Sequence, residues 1–496
     1  EVVGEYPSGA SAQRLIQLVE RLHFDLDWQI WLPRSRALQR LGISIKQHDL
    51  ARRTHEFAEQ CIRPVAGGYD RRQEFPWPVL EEAAERGFYS PLFYRDLIGD
   101  PTGLSLPMFM EELFWGCAGI GLAVVMPALA LSAIGQAATP EQMLQWAPEC
   151  FGSPGDLKLA ALAISEPEGG SDVRNLRTTA RRDGSDWIID GHKMWIGNGG
   201  IANVHVVNAV VDQDLGHRGQ GLFVVPGGTP GLELVRKLDK LGCRASHTAE
   251  LKFSGVRVPA ENLLGGQDKL EHKLAKAREA AATGRRSRSA TLGTFEQTRP
   301  MVAAQALGIA RAALEYVTAY ANRREAFGGP IIDNQGVAFP LADLATGIDA
   351  ARLLTWRASW MAASGVPFER GEGSMAKLAA SEIAVKTTER AIQTMGGWGY
   401  ISDHPVEKWY RDAKLYTIFE GTSEIQRIVI SAALGAGDGA PPLHVELEPT
   451  GGPFNRLFGR GTPARTRVAN AALAMRDKVP APAMRVAMKV LQPPRG

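Results

Sequence analysis

A single carboxylate, Glu420, ends an apolar run in the stretch KLYTIFEGTSEIQRIVIS (414–431), beside Gly421 and just ahead of a helix signal. Ser423-x-x-Gln426 has the spacing of a capping box, so a helix is expected to begin there. Two chemistries suit an acid at such a point. It can complement the positive end of a helix dipole. Alternatively, an apolar setting raises its pKa toward working pH and makes it a general base. The fragment alone supports both.

Four other segments carry chemistry. ISEPEGGSD (164–172) ends a strand with glycines that allow close backbone approach, and Ser171 adds a hydroxyl and an N–H for an anion. KMWIGNGG (193–200) puts Trp195 near a glycine-rich turn, where a core tryptophan is the plain alternative. ANRREAFG (321–328) ends a helix in arginines, which are usually solvated. IQTMGGWGYISDHPVEKWYRDAK (392–414) ends a helix with Gly396-Gly397, as a C-cap does.

The elements that must position these residues follow from periodicity. Residues 45–157 read as an N-terminal helical domain, with Ile45, Leu50, Phe57 and Ile62 as one apolar stripe. Short apolar runs split by Gly, Pro and Asp mark a middle β-domain over 158–265, with Asp190-Gly191 as a hairpin turn. A charged insert with a basic loop, RRSR, occupies 266–294. Helical period returns over 295–436: Leu307, Ala310, Leu314, Val317 and Ala321, then Leu341, Leu344, Ile348 and Ala351. Four long helices predict a C-terminal four-helix bundle. The class is therefore α+β. Residues 1–44 form an extension and 437–496 a basic, Pro-containing tail.

Composition excludes several roles. The 496 residues carry a net charge of +2, which argues against nucleic-acid binding by the whole chain. Four scattered cysteines suit a reducing compartment and give neither a metal site nor a disulfide framework. The uncharged run 116–138 is long enough for a membrane span, but Pro127 and its many small residues point to a buried, Pro-interrupted helix pair. No transmembrane span is expected. No G-x-G-x-x-G follows a strand and opens a helix, so any nucleotide cofactor binds outside a Rossmann fold. The chain begins at Glu1 rather than Met, so a native start further upstream is expected.

Taken together and in this order, EELFWGCAGIG, ISEPEGGSD, DGHKMWI, GTFEQTRP, REAFG, MGGWGY, PVEKWYRDAK and FEGTSEIQR resemble the acyl-CoA dehydrogenase family, in its medium-chain-like branch. The resemblance covers about residues 45–436. It implies FAD between β-domain and bundle, and oxidation of an acyl-CoA thioester to the trans-2-enoyl-CoA. Electrons would pass to an electron-transferring flavoprotein.

Residue by residue, the resemblance implies the following. Glu420 falls on the catalytic base, and Gly421 leaves room for the thioester. Some relatives carry the base on the helix near 295, where this chain has Thr298. Glu296 and Arg299 match an acid and a catalytic arginine near the thioester. Ser171 matches a contact to both cofactor and substrate, Trp195 one to the flavin ring, and Ile164 and Ser165 contacts to the ring's polar edge. Arg324, Phe327 and Gln335 match the diphosphate and adenine site. Gln393, Gly396 and Gly397 match contacts to a neighbouring subunit's FAD, which requires a homodimer or homotetramer. Thr422 and Glu424 match contacts just past the base.

After Trp195-Ile196 the family usually has Thr or Ser, whose hydroxyl bonds flavin N5; here it is Gly197. That departure keeps an acyl-CoA oxidase in view. Gly121 and Val125 in place of larger polar residues suggest a deep apolar pocket for a medium-to-long acyl chain. From 438 to 496 the tail holds nine Lys/Arg against four Asp/Glu, so a family-derived DNA- or partner-binding protein is a further alternative, as is peripheral membrane contact. The expected location is the cytoplasm of a bacterium or the mitochondrial matrix of a eukaryote.

Overall fold

The computed structural model describes residues 44–435 apart from Arg174 and 283–289, with the backbone alone over 290–297. The expectations for the N-terminal extension, the basic stretch 285–288 and the C-terminal tail lie outside the described residues.

The first helix, α1 (Ile45–Phe57), starts at a capping box: Gln47 N–H donates to Ser44 Oγ at 3.3 Å, and Ser44 N–H donates to Gln47 Oε1 at 2.7 Å. One wide turn, Ala58–Ile62, carries it into α2 (Arg63–Arg72). Helices α3 (Trp77–Glu85), α4 (Pro91–Ile98), α5 (Ser105–Gly116), α6 (Ala118–Ala137) and α7 (Pro140–Trp146) complete the first layer. The expected helix pair at 116–138 is instead one helix, α6, with Pro127 inside it. Proline costs roughly 3 kcal/mol in a helix interior. Ile120, Val124, Leu131 and Ile134 are all buried, and each contributes roughly 1.5–3 kcal/mol. Burial of both halves in one slot outweighs the proline.

A two-stranded ribbon, β1 (Gly152–Ser153) and β2 (Asp156–Leu157), precedes the main sheet. That sheet holds β3 (Ala160–Ala163), β4 (Thr179–Asp183), β5 (Asp186–Gly197), β6 (Val204–Val210), β7 (Gln220–Pro226), β8 (Leu232–Lys237) and β9 (Thr248–Pro259). Its order is β3-β6-β4-β5-β9-β8, with β7 antiparallel to β6 and β3 parallel to it. Asp190-Gly191, expected as a turn, lies inside β5. The hairpin turn is at Gly184-Ser185, where Asp183 faces Asp186. Gly191 marks a shift of register against β9, and a Cβ there would sit 2.3 Å from Thr178 Oγ1. Glycine at a bulge under close backbone approach has the same signature as glycine in a turn.

Helix α8 (Gly266–Ala282) leads to the bundle: α9 (Ala290–Arg323), α10 (Gln335–Ser364), α11 (Glu372–Met395), the short α12 (Gly397–Tyr400), α13 (Val406–Tyr416) and α14 (Ser423–Leu434). Between α9 and α10, β10 (Glu325–Ala326) and β11 (Gly329–Pro330) form a small hairpin over Phe327-Gly328. The apolar stripes read on α9 and α10 are buried, and α11 packs against α9, α10, α13 and α14. The capping residue of α14 is Thr422, one earlier than expected: its Oγ1 accepts from Ile425 N–H at 3.2 Å.

A buried ion network ties α5 to the bundle. Glu111 meets Arg352 at 2.8 Å and Arg311 at 3.2 Å, while Arg311 also pairs with Glu112. Burial alone would push the Glu112 carboxyl up; Arg311 and His55 against it bring it down to about 2. Those charges hold the N-terminal layer and the bundle in one register, and the cavity described next lies between them and the sheet.

Candidate active site

A cavity of about 570 Å³ opens where the sheet, α6 and the bundle meet. That volume lies in the range of small-molecule and cofactor sites. The β-domain contributes Ile164, Ser165, Ser171, Trp195, Ile196 and Gly197 to its wall. The bundle contributes Thr298, Arg299, Glu420, Gly421 and Thr422, and α6 contributes Leu122, Val125, Met126 and Leu129. Segments more than 250 positions apart in sequence thus meet across one space.

On the sheet side, a buried ion pair sets the geometry. Lys193 Nζ donates to Glu166 Oε1 at 2.8 Å and to the Ile164 carbonyl at 2.8 Å. Glu166 also accepts from the N–H groups of Arg177 (2.6 Å) and Thr178 (2.9 Å). Met194 N–H donates to the Ser165 carbonyl at 3.0 Å. The two strand ends bearing Ile164-Ser165 and Trp195-Ile196 are therefore laced together. Register slips between Lys193 and Ile196, and Trp195 takes a left-handed backbone, φ 60°. That bulge leaves Trp195 54% exposed, at the cavity wall, instead of packing it into the core. The next residue but one, Gly197, is where a side chain would collide: a Cβ there would lie 2.7 Å from Met126 Sδ.

On the bundle side, Glu420 sits in the link between α13 and α14 with a left-handed φ of 54°, and Gly421 follows at 88°. Left-handed non-glycine residues cost about 1–3 kcal/mol and cluster at functional sites. Burial raises the Glu420 carboxyl above its ordinary range, and Lys377 and Arg299 pull part of that back. The Arg299 guanidinium donates to Ser374 Oγ at 2.5 Å. Burial lowers its pKa to about 10, against the opposing pull of Glu420. A carboxylate with a raised pKa beside an arginine on a cavity wall is equipped to take a proton from carbon and to have the resulting charge offset nearby.

The chain matches three consecutive family descriptions: "Acyl-CoA dehydrogenase, N-terminal domain" over 44–153, "middle domain" over 161–256 and "C-terminal domain" over 288–435. The chain belongs to the acyl-CoA dehydrogenase family. It is 41% identical over 391 residues to the mitochondrial short-chain specific acyl-CoA dehydrogenase of Bos taurus, covering 78% of this chain and 90% of the relative. Among solved structures it resembles butyryl-CoA dehydrogenase from Megasphaera elsdenii, with TM-score 0.69, 32% identity, and 79% and 98% of the two chains covered. A glutaryl-coenzyme A dehydrogenase in its glutaryl-CoA complex gives TM-score 0.70 at 28% identity, covering 82% and 99%. Acyl-CoA dehydrogenases are FAD-dependent oxidoreductases of fatty-acid β-oxidation, and this chain is an enzyme of that class.

A second, open recess holds Tyr320, Arg324, Gly396, Gly397 and Trp398. The expected diphosphate arginine and the Gly396-Gly397 pair are thus neighbours. Phe327, on its hairpin turn, is fully exposed, and Gln335 and Gln393 are exposed on α10 and α11; none of the three lines either cavity. Glu424 is exposed in the first turn of α14. Glu296 lies on α9, and its side chain is outside the described residues. The residues present fit FAD: an exposed indole on a left-handed backbone and the hydroxyls of Ser165 and Ser171 at the first cavity, and a cation at the second. Gly121 does not deepen the first cavity, because the Phe114 ring stands 3.0 Å from where its Cβ would be.

Met126, Ser374 and Lys377 escaped the sequence reading. Ser374, Lys377 and Ser381 recur at 3–4 spacing among the buried Ala376, Ala380 and Ala384 of α11. A polar stripe within a core face was the available signal.

Proposed function

We propose that this acyl-CoA dehydrogenase oxidises a short-to-medium acyl-CoA at the bond between the two carbons next to the thioester, giving the trans-2-enoyl-CoA. The observation that carries it is Glu420, a desolvated carboxylate on the same cavity wall as Arg299 and across from Trp195 and Ser171. Glu420 takes the proton from the carbon next to the carbonyl. The Arg299 cation offsets charge that moves toward the thioester oxygen. FAD bound between the sheet and the bundle supplies the acceptor for the hydride that leaves the neighbouring carbon. Ile164, Ser165, Ser171, Trp195, Ile196, Gly197, Thr422 and Glu424 would hold its ring end, and Arg324, Phe327 and Gln335 its diphosphate and adenine. Gln393, Gly396 and Gly397 would reach the FAD of a neighbouring copy in a homodimer or homotetramer. An electron-transferring flavoprotein is the proposed acceptor of the electrons.

Chain length is proposed from the wall. Phe114 fills the space that Gly121 leaves, and Met126 reaches over Gly197. Among the described residues, Tyr94, Leu97, Leu106 and Met110 give an apolar wall, and the cavity's cations, Lys240 and Arg299, lie on other elements. Two of the similar proteins are named for short or butyryl substrates. Anaerobic mixing of the yellow protein with butyryl-, octanoyl-, palmitoyl- and glutaryl-CoA tests this. Bleaching fastest with butyryl- or octanoyl-CoA is expected; a maximum at palmitoyl-CoA would return the pocket to a long-chain reading, and no bleaching with any thioester would remove the activity.

The missing hydroxyl at 197 favours an oxidase as the second reading. Readmitting air separates the two: slow reoxidation is expected of a dehydrogenase. Gly197→Thr alone must displace Met126, at a cost of roughly 1–3 kcal/mol. Gly197→Thr with Met126→Ala makes room. The double variant is expected to reduce faster and to react more slowly with oxygen, and rates equal to wild type in both assays would sink the idea.

A further inference from the structure

The turn that bears Glu420 is held from behind. Lys377 is fully buried on α11 and does not line the cavity. Its Nζ donates to the Gly421 carbonyl at 2.7 Å. Gln426 Nε2 donates to the same carbonyl at 2.8 Å and to the Glu420 carbonyl at 3.3 Å. Ser423 N–H closes the loop by donating to the Thr417 carbonyl at 3.0 Å. One turn earlier on α11, Ser374 accepts from Arg299. A single helix face therefore supports both charged groups of the site.

We propose that Lys377 is a positioning residue for proton abstraction, pinning the left-handed Glu420-Gly421 turn through the Gly421 carbonyl and biasing Glu420 toward its ionised form by its charge. The proposal rests on the reading of Glu420 as the base. A left-handed non-glycine residue such as Glu420 persists only where its surroundings over-determine it, and the Gly421 carbonyl that follows it has two donors. Among the described residues, the charged groups facing Lys377 are Glu420, Arg299 and Glu424, and those facing Glu420 are Lys377 and Arg299. Burial brings Lys377 down to about 8, with Glu420 opposing, so its cation is present at neutral pH.

The test compares Lys377→Met and Lys377→Gln with wild type and Glu420→Gln, all full-length and FAD-loaded. The readouts are the pH profile of anaerobic flavin reduction and the substrate Kd. Removing the cation raises the pKa of a neighbouring carboxylate. The acid limb is expected to move up by about one unit in both variants. Lys377→Met is expected to lose roughly 100-fold in rate with Kd nearly unchanged, the scale of a misplaced catalytic group. Lys377→Gln keeps a donor and recovers part of that rate. An unmoved limb overturns the proposal, whether the rate falls or not, since a merely structural lysine would leave the limb in place. Should Lys377→Met not fold, the limb of Lys377→Gln decides alone. If Glu420→Gln bleaches like wild type, the base reading fails first; if it is inert while both lysine variants match wild type, only the positioning role fails.

Discussion

Glu420→Gln is expected to keep the cavity and its FAD but to slow flavin reduction by acyl-CoA on the order of 10⁴-fold, the upper range for a general base. Glutamine has the shape of the acid and can meet the same neighbours, but it cannot accept the proton. The same variant is expected to be more stable than wild type at alkaline pH. Burial raises the folded-state pKa of Glu420, so the native protein holds its proton longer than the unfolded chain does. The stability tied to that proton is present below the unfolded-state value and is lost as pH rises through the folded-state value. The gap between variant and wild type should therefore open as pH rises from the unfolded-state value to the folded-state value and level off above it. Stopped-flow bleaching and thermal melts across pH check both halves. Bleaching within tenfold of wild type would remove Glu420 from the chemistry.

The second large effect is expected at the opposite wall. Lys193→Met leaves Glu166 buried with two backbone donors and no cation. Breaking one side of a buried pair costs about 3–5 kcal/mol. Burial alone would raise the Glu166 pKa, but Lys193 and its hydrogen bonds hold it low. Because Lys193 also holds the Ile164 carbonyl, FAD content should fall with stability. Lys193→Met with Glu166→Gln should recover much of both, since no charge is then stranded. Urea unfolding and the ratio of flavin to protein absorbance measure the two. A single variant within about 1 kcal/mol of wild type, with full flavin, would show that the pair does not brace the site.

What was legible in the sequence was what sits in continuous stretches. Glu420, Trp195 and Ser171 announce themselves by their immediate neighbours, and the structure gathers all three on one cavity. The bundle stripes were legible because a helix writes its buried face at 3–4 spacing. Met126 was not, because it acts on a partner more than 40 positions away and looks locally like an ordinary helix residue, and Lys377 showed only as one member of a polar stripe whose partner is equally distant. Asp190-Gly191 misled because a bulge pressed against Thr178 and a hairpin tip call for the same residue. Pro127 misled because local cost was visible and distant burial was not. The cap of α14 differed by one position because Thr422 and Ser423 offer the same hydroxyl, and only the backbone angle selects between them.

Helix α6 has a consequence for biosynthesis. Its 20 residues are apolar enough to cross a membrane, and 72% of its most apolar window is covered by protein. Part of that cover comes from α5, made earlier, but β3 and β6 are made later. While the chain emerges from the ribosome, α6 is complete before Val210, the end of β6, has been added. Until then it presents an uncharged segment to any translocon or chaperone that reads hydrophobicity. Elongation through the β-domain is what commits this helix to the interior.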